Sequence, residues 1–360
     1  MAQTGIDDGF DTEVFNYWIP RLVADGVDAN DIQAVRPNVA NWRDWPVAWA
    51  SVAEDNLNLA RERLKAGHSV TAGDAFVRAS LCFHVGQVVA GETPEIKRDL
   101  QRRKEAAFRD GAQLLQPPAE RMEIDHNGVP LVGYLRLPAG QGTAVPCVIL
   151  VPGLDSTKED FITLSDMCLR RGLASFAYDG PGQGEVRPHA LLAEGYEDSI
   201  QSVFNAIAKK PEIDGERIGL LGRSLGGYYI LRAAAWEPKI AALAVFGGCY
   251  DLGDWETMPK TILDGFLWTT DSKTYDEARQ KMGSASLDDC IDKIDCPTIV
   301  VHGKKDAIFH YTQAERIAAA LGEKTDLHIE EDGVHCCHNY GFQYRTLMID
   351  WITNKLAIRR

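Results

Sequence analysis

The residues Gly222-Arg223-Ser224-Leu225-Gly226-Gly227 lie directly after the apolar run Ile218 to Leu221 and directly before a helical run from Tyr228 to Trp236. A serine set between glycines at a strand-to-helix turn is the arrangement that exposes a nucleophile at the end of a sheet. Glycine is needed there because side chains flanking a strained turn would collide with the neighbouring strand and helix. Ser224 Oγ is therefore expected at the carboxyl end of the sheet. The next amide, Leu225 N–H, falls at the amino end of a helix, where partial positive charge suits an oxyanion. A second oxyanion donor is expected from Pro152-Gly153-Leu154-Asp155, the loop after the run Cys147 to Val151, with Leu154 N–H as the candidate.

A serine hydroxyl attacks only when a base takes its proton, so a histidine and an orienting carboxylate should follow in the chain. Asp306, in His302-Gly303-Lys304-Lys305-Asp306, and His335, in Asp332-Gly333-Val334-His335, both follow predicted strands. Asp251 competes with Asp306, since it follows the preceding strand, and His338 competes with His335. His335 is preferred because it follows a glycine-containing strand-end loop. The cluster His335-Cys336-Cys337-His338 offers no second Cys/His group at ligand spacing, and adjacent cysteines face one tetrahedral centre poorly, so no metal is expected. Asp179-Gly180-Pro181-Gly182-Gln183-Gly184 superficially suggests a dinucleotide loop, but Pro181 and the lack of a helix opening on its last glycine argue against a nucleotide cofactor. A tight turn below the active site explains it.

The elements that must position these residues change character near Gln116-Pro117-Pro118, where a proline pair stops a helix and favours an extended linker. The predicted domains are therefore 1–117 and 118–360. In the first, Trp45 to Ala66 and Gly73 to Ala90 carry apolar residues at helical spacing, with Asp74 suited to a first turn. Trp18, Trp42, Trp45 and Trp49 read as core packing, and this aromatic content also suits homodimerisation. In the second, β-rich runs begin at Arg121 and Leu131, joined by the hairpin signal Asn127-Gly128, and continue at Cys147, Ala174, Ile218, Ala241, Thr298 and Asp326 with helical stretches between. The fold class is α/β: a mostly parallel sheet with helices on both faces and a helical N-terminal cap. Between Tyr250 and Cys296 the alternation lapses, as in a functional insertion.

Composition limits the partners. The 360 residues are 45% hydrophobic and 25% charged, with 38 Lys+Arg against 52 Asp+Glu and a net charge of −14. That field repels phosphate backbones and anionic lipid, so neither nucleic acid nor membrane is an expected partner, whereas a neutral or zwitterionic small molecule is compatible. The longest apolar run, Val145 to Val151, is too short to span a bilayer. No charged-then-apolar leader opens the sequence, and the eight cysteines read as free thiols in a cytoplasmic protein.

The Ser224 turn, the Asp179 to Gly184 stretch followed by Glu185, Asp306 in its strand-end loop, and His335-Cys336-Cys337-His338-Asn339 together resemble one branch of the α/β-hydrolase superfamily. That branch has a helical domain in front of the hydrolase core. It includes the 2,6-dihydroxypseudooxynicotine hydrolase type of bacterial nicotine breakdown and fungal pigment enzymes that shorten polyketides. The resemblance implies hydrolysis of a carbon–carbon bond beside a ketone by a Ser-Asp-His triad, with no metal or cofactor. It also implies an acidic substrate residue in the insertion, and Glu256 occupies a comparable place. In the helical region Phe83 and His84 are candidate substrate contacts, with a core role as the alternative for His84. A carboxylesterase or lactonase is the second reading, and a non-catalytic ligand-binding protein on the same fold is the third. Peptidase action is disfavoured because the N-terminal region lacks the β-rich repeats of a propeller gate.

Overall fold

Short runs of β-branched and aliphatic residues, bounded by turns, build eight strands: β1 (Glu120–His126), β2 (Val129–Arg136), β3 (Val145–Val151), β4 (Ala174–Tyr178), β5 (Ile213–Arg223), β6 (Ala242–Phe246), β7 (Thr298–Gly303) and β8 (Thr325–Glu330). A computed structural model describes residues 14–90, 93–140, 143–193, 195–283 and 285–358. The strands form one sheet in the order β1-β2-β4-β3-β5-β6-β7-β8. β1 and β2 pair antiparallel with His126 opposite Val129, so the turn is Asn127-Gly128 alone, both with positive φ as a two-residue hairpin demands. β2 meets β4 antiparallel, and every later pairing is parallel.

Fully apolar strands such as β6 are buried on both faces, which requires helices on each side. One layer contains α6 (Ile162–Leu169) and α12 (Gly341–Ala357), packed on Val148, Leu150 and Ile299. The other contains α7 (Glu197–Ile207), α8 (Leu225–Trp236) and α11 (Thr312–Leu321), packed on Ile149, Leu220 and Val300. The chain passes from β3 to β4 on one side and then to β5 on the other. The crevice left at such a reversal, beyond the carboxyl ends of the strands, is where α/β sheets bind ligands. The insertion supplies α9 (Lys260–Thr270) and α10 (Tyr275–Lys281).

The region before the sheet contains α1 (Ile19–Asp25), α2 (Ala29–Val35), α3 (Trp45–Lys65), α4 (Ser69–Val88) and α5 (Pro94–Ala112). From Ala72 to Val88, α4 is buried at nearly every position, so it is the central helix of this region rather than an amphipathic cover. It begins one turn earlier than the sequence suggests, and Asp74 lies inside it. Gly73 does not mark a start. A Cβ there would come within 2.8 Å of Leu114 Cβ, so the glycine serves close packing against the end of α5.

Trp18, Trp45 and Trp49 are buried, with Trp45 donating its indole N–H to Val85 O at 2.9 Å. Together with Trp42 they form a chain of edge-on and tilted ring contacts inside the helical core. That aromatic mass is used within the chain and gives no support to self-association through it. The proline-containing linker is not extended either. Ala119 N–H donates to Ala112 O at 2.8 Å and Gln113 Nε2 donates to Ala119 O at 2.8 Å, which folds the segment back onto the end of α5.

All eight cysteines are buried free thiols. No helix among the described residues is long and apolar enough to cross a membrane.

Candidate active site

β5 ends at Arg223 and α8 starts at Leu225, leaving Ser224 alone in the turn with φ 56° and ψ −128°, a backbone that residues with side chains rarely adopt. Its amide donates to Phe246 O at 2.7 Å, which ties the turn to the end of β6. Gly222 and Gly226 have no room for a Cβ, since Gly222 faces the Gly226 backbone across the turn and Gly226 faces the Val151 and Pro152 backbone at the end of β3. Ser224 is half-buried between buried neighbours, so its hydroxyl is reachable while its frame is not.

Three strand ends bring the predicted group together. His335 Nε2 is 2.8 Å from Ser224 Oγ, and His335 Nδ1 is 2.6 Å from Asp306 Oδ2. Asp306 is itself fixed: its Oδ1 accepts from the amides of Ile308 at 2.8 Å and Phe309 at 3.0 Å. His302 Nε2 lies 3.2 Å from Asp306 Oδ2 and 2.9 Å from Phe309 O, a support that sequence reasoning passed over. Burial works to lower the His335 pKa, but the Asp306 carboxylate outweighs it and pushes the imidazole up to about 10. Burial alone would raise Asp306, yet the imidazole beside it and the hydrogen bonds from His302 and His335 hold the carboxyl well below its ordinary range.

The competitors go elsewhere. Asp251 accepts from Gln313 Nε2 at 3.1 Å and pairs with Arg316 at 2.5 Å. His338 is buried, and burial together with Arg345, Arg223 and Arg21 drives its pKa far down, so it stays neutral. Cys336 and Cys337 lie between His335 and His338, both with positive φ. The Cys336 thiol donates to Phe246 O at 3.2 Å, while Cys337 Sγ would meet a Cβ on Gly333 at 3.0 Å.

The oxyanion candidates flank the serine. Leu225 is the first residue of α8. Gly153 approaches the turn so closely that a Cβ on it would lie 2.8 Å from Arg223 O, 3.0 Å from Ser224 Cβ and 3.5 Å from Leu225 N, which puts Leu154 beside the serine. The glycine-rich stretch after β4 braces this loop. Gln183 Nε2 donates to Gly153 O at 2.6 Å, and Gln183 Oε1 accepts from Gly180 N–H and the Tyr196 hydroxyl. Asp179 accepts from the Lys158 and Glu185 amides and from Lys158 Nζ at 2.6 Å. The glycines thus make a packed turn below the site.

The three substrate candidates are not brought to the triad. Glu256 sits on an exposed turn after β6 with its side chain 77% exposed and paired with Arg279 at 2.5 Å; the neighbouring Trp255 turns inward onto Phe266 instead. Phe83 is wholly buried in the helical core, with Arg103 over its ring at 4.4 Å. His84 is buried at the seam between the helical region and the sheet, its Nε2 3.1 Å from Asp160 Oδ2.

That seam was not foreseen. Arg21 on α1 reaches Asp155 at 2.7 Å, Asp25 at 3.5 Å and Asp160 at 3.5 Å. Arg223, the residue before the serine, reaches Asp25 at 2.7 Å and Asp160 at 2.6 Å, and Arg345 on α12 reaches Asp25 at 2.6 Å. Just before α1, Tyr17 places its ring 6.0 Å from that of His335. The only local sequence signal was the polar His84 on an otherwise apolar helix, which required a partner.

A family model described as "Esterase FrsA-like" matches residues 37–266, and one described as "Prolyl oligopeptidase family" matches residues 190–359. A 2,6-dihydropseudooxynicotine hydrolase of Paenarthrobacter nicotinovorans is 36% identical over 94% of this chain and 91% of its own. The chain is an α/β-hydrolase of the FrsA-like esterase family. The 20-hydroxy-prefusarin hydrolase FUS2 of Gibberella moniliformis is 30% identical, with 73% of this α/β-hydrolase and 68% of the relative covered. A crystal structure of 2,6-dihydroxy-pseudo-oxynicotine hydrolase superposes with a TM-score of 0.87 at 34% identity, covering 94% and 95% of the two chains. The oligopeptidase match takes in the half that contains Ser224, Asp306 and His335, while the described chain before β1 is helical.

Proposed function

We propose that this α/β-hydrolase cleaves a carbon–carbon bond next to a ketone in an aryl ketone or β-diketone-like small molecule, without metal or cofactor, in the cytoplasm. The reading rests on the Ser224–His335–Asp306 hydrogen-bonded chain, set in a fold shared at 36% identity with a pseudooxynicotine hydrolase. His335 takes the Ser224 proton as Oγ attacks the ketone carbon, and the carbonyl oxygen becomes an oxyanion held by the Leu154 and Leu225 amides. Collapse of that intermediate breaks the carbon–carbon bond and leaves its electron pair on the ring carbon. The His335 imidazolium returns the proton there, releasing the arene. Water, activated by the same imidazole, then hydrolyses the acyl-serine to a carboxylic acid. Asp306 holds the ring in the productive tautomer throughout. The helical region before β1, within the expected domain 1–117, forms the cap over this reaction in its described residues.

The esterase family match favours a second reading, hydrolysis of a small ester or lactone, in which the oxygen leaving group needs less help to depart. Mass spectrometry of products from paired aryl ketones and aryl esters tests the choice: ketone cleavage to arene and acid is expected, and intact ketones beside rapidly cleaved esters would overturn it. Ser224→Ala should lower turnover by about 10⁴-fold or more with thermal unfolding unchanged. Because Asp306 raises the imidazole pKa, kcat/KM should rise with pH as His335 loses its proton, with a midpoint above the ordinary histidine value of about 6.5.

A further inference from the structure

His302 is the next-to-last residue of β7, four positions before Asp306, and its side chain is fully buried. Its Nε2 lies 2.9 Å from Phe309 O and 3.2 Å from Asp306 Oδ2. A carbonyl and a carboxylate only accept, so the imidazole hydrogen sits on Nε2 and is shared between them. The other ring nitrogen agrees. Nδ1 is buried with no hydrogen-bond partner among the described residues, so a hydrogen there would have nothing to meet. An imidazole that leaves one nitrogen unsatisfied in the core is a poor choice for packing alone, which an apolar ring would serve better. What it supplies is the N–H.

That N–H completes the surroundings of Asp306. A carboxylate offers about four lone-pair directions. Oδ1 accepts the amides of Ile308 at 2.8 Å and Phe309 at 3.0 Å, Oδ2 meets His335 Nδ1 at 2.6 Å, and His302 faces the remaining direction. Phe309 is held at both of its backbone groups, the amide by Asp306 and the carbonyl by His302, and its ring meets the His335 ring edge-on at 5.8 Å. One side chain thus closes the loop from 302 to 309, which carries both the carboxylate that His335 points to and an aromatic ring that His335 rests against.

We infer that His302 is a positioning residue: through Asp306, its Nε2–H holds the His335 imidazole in line with Ser224. The inference rests on reading Ser224, His335 and Asp306 as one proton relay. When His335 takes the serine proton, its Nδ1–H is drawn harder to Oδ2, and a carboxylate already held on every side has no reorganisation to undergo at that moment.

The rate at which a fluorophosphonate labels Ser224 tests this without a natural substrate, so the result is separate from the choice between ketone and ester. The native protein should be labelled, and folded His302→Phe, checked by thermal unfolding, should react about tenfold more slowly, the loss of one hydrogen bond to a charged group. His302→Gln, whose amide N–H reaches the place of the imidazole Nε2–H, should recover most of the rate. His302→Asn ends short of that place and should stay slow; it takes over the comparison with glutamine if the phenylalanine variant does not fold. In an Asp306→Asn background, His302→Phe should cost about twofold or less, because its effect passes through Asp306. The inference is overturned if the phenylalanine and asparagine variants react at the native rate. It is also overturned if His302→Gln is as slow as they are, or if the tenfold loss persists beside Asp306→Asn, either of which would assign His302 to packing. A native protein left unlabelled would overturn the relay itself, and this inference with it.

Discussion

The sheet and the seam against the helical region are both buried, but they are built from opposite materials. Around β3, β5 and β6 the buried side chains are Val148, Ile149, Leu150, Leu220 and Val245, held by apolar burial that is insensitive to direction. Across the seam lie Arg21, Asp25, Asp155, Asp160, Arg223 and Arg345, with Lys104, Lys158, Glu159 and Asp179 beside them. Removing one methylene from the sheet leaves its neighbours apolar. Removing one charge from the seam leaves buried opposite charges short of a partner. The sheet therefore supplies stability that tolerates small errors, whereas the seam fixes one docking geometry, and that geometry includes Asp155 in the loop after β3 and Arg223 before Ser224.

The sharpest way to break this contrast is a matched pair of substitutions followed by urea unfolding. Arg223→Ala should cost about 3–5 kcal/mol because the buried carboxylates of Asp25 and Asp160 lose a shared partner, leaving Arg345, Arg21 and His84 to serve both. Ile149→Val in β3 should cost only about 0.5–1.5 kcal/mol. Equal losses would place the seam charges in a solvated setting and dissolve the distinction.

Acid provides a smaller and more selective probe. Burial would raise the carboxyl pKa values of Asp25, Asp155 and Asp160, but the arginines beside them prevail and hold all three below the ordinary range. A carboxyl depressed in the folded state contributes stability above its unfolded value of about 3.9, and that contribution is lost as the pH falls through the folded value. Unfolding free energy should thus decline steeply below about pH 4. A stability unchanged between about pH 5 and pH 3 would remove these pairs from the account.

The smallest effect is expected at the surface. The Glu256–Arg279 pair is exposed on both sides, so Glu256→Gln should leave KM unchanged and alter stability by under about 0.5 kcal/mol. A severalfold rise in KM would return Glu256 to the substrate.

What was readable in the sequence follows the same division. Ser224 and its glycines, the strands, and the Asn127-Gly128 turn are dictated by neighbours a few residues away, through backbone sterics and alternation of apolar runs. Asp306 and His335 were readable because strand ends converge in this fold, and these two, rather than Asp251 and His338, are hydrogen-bonded in line with Ser224. The seam has no such local mark. Lys158-Glu159-Asp160 has the composition of a solvated turn, yet the three residues are 2%, 0% and 1% exposed. Their partners Lys104, Asp179 and Arg223 come from separate elements, so no window of sequence contains the reason for their burial. Tyr17 was invisible for the same cause. Its place beside His335 depends on where α1 docks.

Asp25 is shared by Arg223 and Arg345, which lie 198 and 320 residues further along the chain. A ribosome releases Asp25 long before either arginine exists, and until they emerge the carboxylate has only Arg21, one turn away on α1. The seam beside the Ser224 turn is thereby completed only after nearly all of the polypeptide has been made, so a nascent or prematurely terminated chain carries that turn without its full clamp.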